Sequence, residues 1–303
     1  MLGIIYNSLI LILVIVIGYG AKKVGIVSSE RDFPTISKLI LYITLPSAII
    51  TNLNGLRFPP ALLVISLFGL FCNWVYIMVG KTVGEDKEEK SFMVINVNGY
   101  NIGNFAFPFI AFFLEGLPIL AISLFDAGNA VMTMGFNYAT AKSIKSDTGK
   151  MDFLDLFRTV IKSPTVIVYA IMVSLSLLSI NLPNMVLEVA SIAAGANTFL
   201  AMFLIGVALE LNINRKYLKK LLKFAFFRYA TAFVLAALVF LIPFFPIEIK
   251  HTLVLILFAP TPGAATIFTG LIDGDVRLAA QFNSLSIIIS IILMSSYLVL
   301  IGA

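Results

Sequence analysis

Nine stretches of this chain run for eighteen or more residues without an Asp, Glu, Lys or Arg: 2–21, 39–56, 58–80, 91–114, 163–187, 189–209, 229–247, 252–272 and 278–303. A tenth, 116–141, is interrupted only by Asp126. A helix rises about 1.5 Å per residue and a bilayer core is about 30 Å thick, so each run is long enough to span. The runs lack alternating polarity, which excludes barrel strands. Composition agrees: the 303 residues are 60% hydrophobic and 12% charged, whereas soluble domains carry about 25% charged residues. An ordinary secreted, cytosolic or nucleic-acid-binding protein is excluded. The lone Cys72 precludes an internal disulfide, and the lone His251 precludes a multi-histidine metal site.

Ten spans make a testable pattern of loop charge. Connections after the odd-numbered spans hold Lys22, Lys23, Arg31 and Lys38, then Lys81, Lys87 and Lys90, then Lys142, Lys145, Lys150, Arg158 and Lys162. The fourth holds Arg215, Lys216, Lys219, Lys220, Lys223 and Arg228, and the fifth Arg277. That is 19 of the 21 basic residues, leaving Arg57 and Lys250 on the other side. Basic loops stay cytoplasmic, so both termini are expected outside. The net charge of +5 is loop asymmetry rather than a nucleic-acid face. The first run lacks a preceding basic residue and a small-residue cleavage pattern, and reads as a first helix rather than a signal peptide. The Arg215–Arg228 cluster reads as a topology signal on an amphipathic linker, and the charged run from Glu85 to Lys90 as a solvated turn.

The charged connection 142–162 divides the chain into halves 1–141 and 163–303, of five spans each. An odd number per half makes the halves enter from opposite sides, the inverted-repeat arrangement of many transporters. An offset of 154 pairs Pro108 with Pro262 and Asn129 with Asn283. The fourth span contains Asn96, Asn98, Gly99, Asn101, Gly103, Asn104 and Pro108; the ninth contains Pro260-Thr261-Pro262-Gly263. An interior proline removes a hydrogen bond at a cost of about 3 kcal/mol, and unpaired peptide groups are not tolerated against lipid. Two such spans, one per half, point to a substrate site. Pro46, in the second span, reads as an ordinary kink.

These residues resemble the auxin efflux carrier family. The likeness rests on Tyr42-Ile43-Thr44-Leu45-Pro46, on Asn101-Ile102-Gly103-Asn104 leading to Pro108, and on Pro260 to Gly263. It also rests on Gly274-Asp275-Val276-Arg277-Leu278-Ala279-Ala280 running into Asn283-Ser284. The resemblance spans essentially the whole chain. It implies an all-α integral membrane fold of ten transmembrane helices, two inverted five-helix repeats with broken helices 4 and 9 crossing. Spans 1, 2, 6 and 7 would form a scaffold and spans 3–5 and 8–10 a transport domain, in a homodimer in the plasma membrane. The short connection departs from the long hydrophilic loop of many plant carriers and favours a malate- or malonate-permease-like member. Bile-acid–sodium symporters are more distant relatives, often sodium-coupled.

Each break exposes a half-helix N-terminus, expected at Pro108 and just after Pro262. It carries a positive dipole end and free N–H groups that suit a carboxylate. Asn98, Asn101 and Asn104 add neutral donors and acceptors. Substrate contact is therefore expected from Asn98, Asn101, Gly103, Asn104, Pro108, Pro260, Thr261, Pro262 and Gly263, with Asp126, Asn129 and Asn283 in support or coupling. Asp126 is the only ionisable residue inside a run, and no Lys or Arg lies inside one; it reads either as a packing acid or as a group that carries a proton or helps hold a cation. No cofactor or metal is expected. Catalysis lacks a nucleophile motif or paired acids, and no P-loop lysine motif is present. The expected function is transport of small organic anions by alternating access, with a sodium-coupled symporter, or a channel or receptor, as rivals.

Overall fold

The computed structural model describes residues 2–57, 59–145, 164–212 and 214–302. Lys150, Arg158 and Lys162, in the connection between the halves, lie outside the described residues. Among the described residues the chain is helical, with no strand. Seven helical stretches are long and apolar enough to cross a membrane: Tyr6–Lys23, Phe33–Leu53, Pro60–Val83, Leu117–Lys145, Asn184–Ala208, Arg215–Phe240 and Val276–Ile301. Helix is the form in which a segment in hydrocarbon pairs its own peptide groups. The protein is a multi-pass membrane protein.

The elements run α1 (Leu2–Lys23), α2 (Phe33–Leu39), α3 (Leu45–Leu53), α4 (Val64–Val83), α5 (Lys87–Asn96), α6 (Phe107–Ala111), α7 (Leu117–Val131) and α8 (Asn137–Lys145). They continue as α9 (Pro164–Leu177), α10 (Asn184–Gly195), α11 (Asn197–Ala208), α12 (Leu218–Phe240), α13 (Ile247–Leu257), α14 (Ala264–Leu271) and α15 (Val276–Ile301). Wide π-helical turns at Ile40–Thr44, Ile102–Ala106 and Met132–Phe136 lead into α3, α6 and α8. In the first two the proline, Pro46 or Pro108, stands two residues beyond the turn. A proline ring clashes with the carbonyl four residues back, and the wider turn moves that carbonyl aside. Pro46 is thus absorbed in a continuous helix, as a kink.

Close helix contacts are made through glycine. A Cβ on Gly18 of α1 would lie 2.1 Å from the Phe203 carbonyl oxygen, and one on Gly206 of α11 would lie 2.0 Å from that of Ile15. Gly69 and Gly128 bring α4 and α7 together in the same way. Small residues permit such approach where lipid supplies no hydrophobic drive. Beyond these, α3 packs on α9 and α10, α5 on α8 and α14, and α13 on α7 and α12.

The connections segregate in space. Ser29 donates to the Val207 carbonyl at 2.6 Å and Lys22 pairs with Glu210 at 3.1 Å. Lys145 pairs with Glu88 at 2.8 Å and donates to the Asp273 carbonyl, while Lys223 meets Glu85 and Glu89, each at 2.7 Å. These contacts join the connections after the first, third, fifth, seventh and ninth runs. On the other side Asn54 accepts from the Leu182 N–H at 2.9 Å and Ser176 donates to the Leu56 carbonyl. The pairs of Lys22, Lys145 and Lys223 with the exposed Glu210, Glu88 and Glu85 contribute only about 0–1 kcal/mol each, whereas Glu89 is buried; their value here is in locating the loops.

Three boundaries differ from the sequence expectation. The chain turns at Leu178–Pro183, not at Glu188, which is an exposed residue inside α10. Proline at 183 and the left-handed backbone of Ser179 end one helix and cap the next. The run from Glu85 to Lys90 is a turn only as far as Asp86, whose carboxylate accepts the Glu89 N–H at 2.7 Å and caps α5. The Arg215–Arg228 segment is not a linker: from Leu218 it is already α12.

Candidate functional site

Both expected breaks are present. Between α5 and the turn at Ile102 the backbone is irregular from Val97 to Asn101, and between α13 and α14 from Phe258 to Gly263. Gly99 sits at φ +78, a conformation that glycine adopts without a Cβ penalty. Pro260 and Pro262 cannot donate. The second half of the first broken segment begins at Ile102, six residues before the expected Pro108, which is buried inside α6. The second begins at Ala264, just after Pro262, as expected.

The two breaks touch. The Asn101 N–H donates to the Pro260 carbonyl at 2.9 Å. A Cβ on Gly99 would lie 2.9 Å from Cγ of Pro262 and 2.6 Å from the Thr133 methyl, so the crossing needs glycine for space as well. Each break supplies a peptide partner that the other's helix has lost.

Side chains satisfy the rest. Asn129 works as a substitute peptide: its Oδ1 accepts the Tyr100 N–H at 3.2 Å and its Nδ2 donates to the Tyr100 carbonyl at 3.0 Å. Nδ2 also reaches Asp126 Oδ1 at 3.0 Å, and Asn73 donates to Asn129 Oδ1 at 3.3 Å. Asn283 does the parallel job in the other half, donating to the Thr261 carbonyl at 3.2 Å. Thr261 donates its hydroxyl to the Asn96 carbonyl at 2.7 Å and its N–H to Ser286 Oγ at 3.3 Å. The residues paired by the offset of 154, Asn129 and Asn283, therefore each hold a broken backbone.

Some expected residues sit at the periphery. A Cβ on Gly103 would approach Cδ2 of Leu45 to 2.9 Å, and Gly263 faces Phe33. The first is a close approach to the α2–α3 segment, the second an ordinary contact with it. Two amides keep free polar atoms: Asn98 accepts the Gly99 N–H on Oδ1, leaving Nδ2 buried without a partner, and Asn104 Oδ1 is buried without one. A cavity of about 80 Å³ on the basic-connection side, lined in part by Thr269, Phe92, Phe224 and Lys220, approaches this region. Thr269 is the residue to which Asn96 donates, at 2.8 Å.

Arg228 is the residue that sequence reasoning placed in the wrong environment. It is 1% exposed, and its guanidinium reaches both breaks. Nη1 donates to the Val97 carbonyl at 2.6 Å; Nη2 donates to Gly99 at 2.9 Å and to Ala259 at 2.7 Å. Tyr76 and Tyr100 flank it, ring centroids 5.8 Å away. The expectation that no basic residue lies inside a span is thus wrong. A signal was present: Leu221, Phe224, Arg228, Ala232, Leu235 and Val239 form one buried stripe at helical spacing, while Lys216, Lys219 and Lys220 are exposed. Asp126 is buried at 8% exposure and makes no ion pair among the described residues. Among the described residues no three His, Cys, Asp or Glu gather to hold a metal. A scan against family models and a search of curated proteins find no match, so the functional argument rests on these residues and their geometry.

Proposed function

We propose that the protein is a secondary transporter of small organic anions, mono- or dicarboxylates, working by alternating access in the plasma membrane. The observation that carries this reading is the crossing of two interrupted segments, joined from Asn101 to Pro260, with unpaired polar groups beside it. Such a pair at mid-membrane is the arrangement of transporter substrate sites. An anion is favoured because the donors left buried and unpaired include Asn98 Nδ2 and Arg228 Nε, and because both second-half helices begin at the crossing, offering positive dipole ends.

The wider architecture of this reading is ten spans in two inverted halves, with the auxin efflux carrier resemblance as its origin. Packing of α1 on α11, and of α3 on α9 and α10, supports a scaffold built from the first, second, sixth and seventh spans. The remaining spans then form a body that moves against it, in a homodimer. Purified protein in liposomes should take up a carboxylate with saturating kinetics and show counterflow. Uptake that rises linearly without saturation would identify a channel instead. Asn104→Leu, which removes the unpaired amide, should raise the apparent KM several-fold; an unchanged KM would move the site away from the first break.

The basic connections gathered on one face favour a cytoplasmic position for that face, with both termini outside. On a Cys72→Ala background, cysteines replacing Lys145 or Lys219 should resist impermeant thiol reagents applied outside, and one replacing Glu115 should react. External labelling at position 219 would overturn this orientation.

Asp126 acts here as a packing acid that orients Asn129. Asp126→Asn keeps an oxygen acceptor for Asn129 Nδ2, so gradient-driven uptake and exchange should both persist. Loss of gradient-driven uptake with retained exchange would make Asp126 a proton carrier.

A further inference from the structure

We infer that Arg228 is a built-in cation: its guanidinium occupies the place where a broken-helix transporter would bind a coupling metal cation, and this protein therefore runs without sodium. The transport consequence rests on the function proposed above; the site itself does not.

The backbone shows why a cation belongs there. Helices α5 and α13 both end at the crossing, so their negative dipole ends meet. Past those ends the Val97, Gly99 and Ala259 carbonyls are turned away from any intrahelical partner. Three oxygens converging from two half-helix C-termini are the kind of ligand set that holds sodium in broken-helix transporters. Here Nη1 and Nη2 take all three, at 2.6, 2.9 and 2.7 Å. A charged donor to a carbonyl makes a stronger bond than a neutral one, and a buried charge survives only when so compensated.

The group is also confined. Tyr76 and Tyr100 stand on it with centroids 5.8 Å away, within the range of cation–π attraction. The Tyr76 hydroxyl donates to the Arg228 carbonyl at 2.8 Å, tying the flanking ring to the helix that carries the guanidinium. No carboxylate pairs with Arg228 among the described residues, so its positive charge remains available to a substrate anion. A coupling ion must bind and leave in each cycle. A guanidinium tethered to α12 does neither.

The test uses thermal melting of the purified 303-residue chain, which needs no transported substrate. Wild-type protein should melt at the same temperature in sodium chloride and in choline chloride of equal ionic strength. A saturable, sodium-specific rise, the signature of ligand binding to the folded state, would overturn the inference. Arg228→Ala should melt lower and regain part of the loss when millimolar guanidinium chloride is added. Melting of that variant at the wild-type temperature would also overturn it. If Arg228→Ala does not fold, Arg228→Lys, which keeps the charge, should melt above Arg228→Gln, which does not; equal melting would show that charge is not what the carbonyls require. In liposomes, carboxylate uptake should be the same with sodium or choline outside. If the melting results hold and no carboxylate is taken up, the anion-transport reading fails while the built-in cation stands.

Discussion

Asn129→Leu is expected to lower stability by about 2–6 kcal/mol and to abolish uptake, because it leaves two buried peptide groups unpaired at about 1–3 kcal/mol each. Leucine is close to asparagine in size, so the effect isolates hydrogen bonding. The Tyr100 N–H and carbonyl lose the side chain that serves both, in a residue only 1% exposed. Asp126 loses its amide donor in the same step. Asn73→Leu is the matched comparison. Asn73 donates to the Gly69 carbonyl of its own helix at 2.9 Å and only weakly to Asn129. Its removal should cost about 1 kcal/mol, the usual net value of one hydrogen bond. Thermal melting of both variants, read beside uptake, decides the matter. If they melt alike, Asn129 is not the residue that closes the first break.

Gly206→Ala should be among the most damaging single-methyl additions at the helix contacts. Its Cβ would lie 2.0 Å from the Ile15 carbonyl oxygen, 2.7 Å from the Tyr19 nitrogen and 2.9 Å from the Gly18 Cα. All three are backbone atoms of α1, so no side chain can swing aside. The two helices must separate by about 1 Å or more along this contact, and overpacking of this kind costs about 1–3 kcal/mol. Lipid then has to fill space that backbone filled. Gly20→Ala, on α1 two residues from Gly18, is the control. Nothing lies within 4 Å of a Cβ there, and alanine is favoured over glycine in a helix by about 1 kcal/mol. Expression and melting should fall for the first and hold or rise for the second. Equal behaviour would mean that α1 and α11 do not meet at glycine.

Both substitutions lie where the chain's message was partly legible. The apolar runs announce helices because hydrocarbon offers a peptide group no partner outside its own segment. The alternation of lysine and arginine placed the odd-numbered connections together, and the contacts of Lys22, Lys145 and Lys223 join them. Pro260, Pro262 and the Asn96–Asn104 cluster marked the breaks, because proline removes a ladder hydrogen bond and asparagine and glycine favour non-helical backbone. The equal offset of Asn129 and Asn283 singled out the two side chains that mend it. Glycines 18, 69, 128 and 206 carried no such mark, since close approach is a property of two helices and not of one.

Charge was the misleading signal. Treated as a marker of water, it set a boundary at Glu188, which is exposed on an apolar helix, and put Arg228 in a cytoplasmic linker. The sequence by itself determined where helices form, where they fail, and which basic connections lie together, because those properties depend on local composition and on lipid. Which breaks meet, and whether a given charge is buried or solvated, only the tertiary structure decided. Arg228 is tolerable because Val97, Gly99 and Ala259, from two segments more than a hundred and fifty residues apart in sequence, bring their carbonyls to one point. A buried charge is stabilised by its partners, and those are assembled only by the fold.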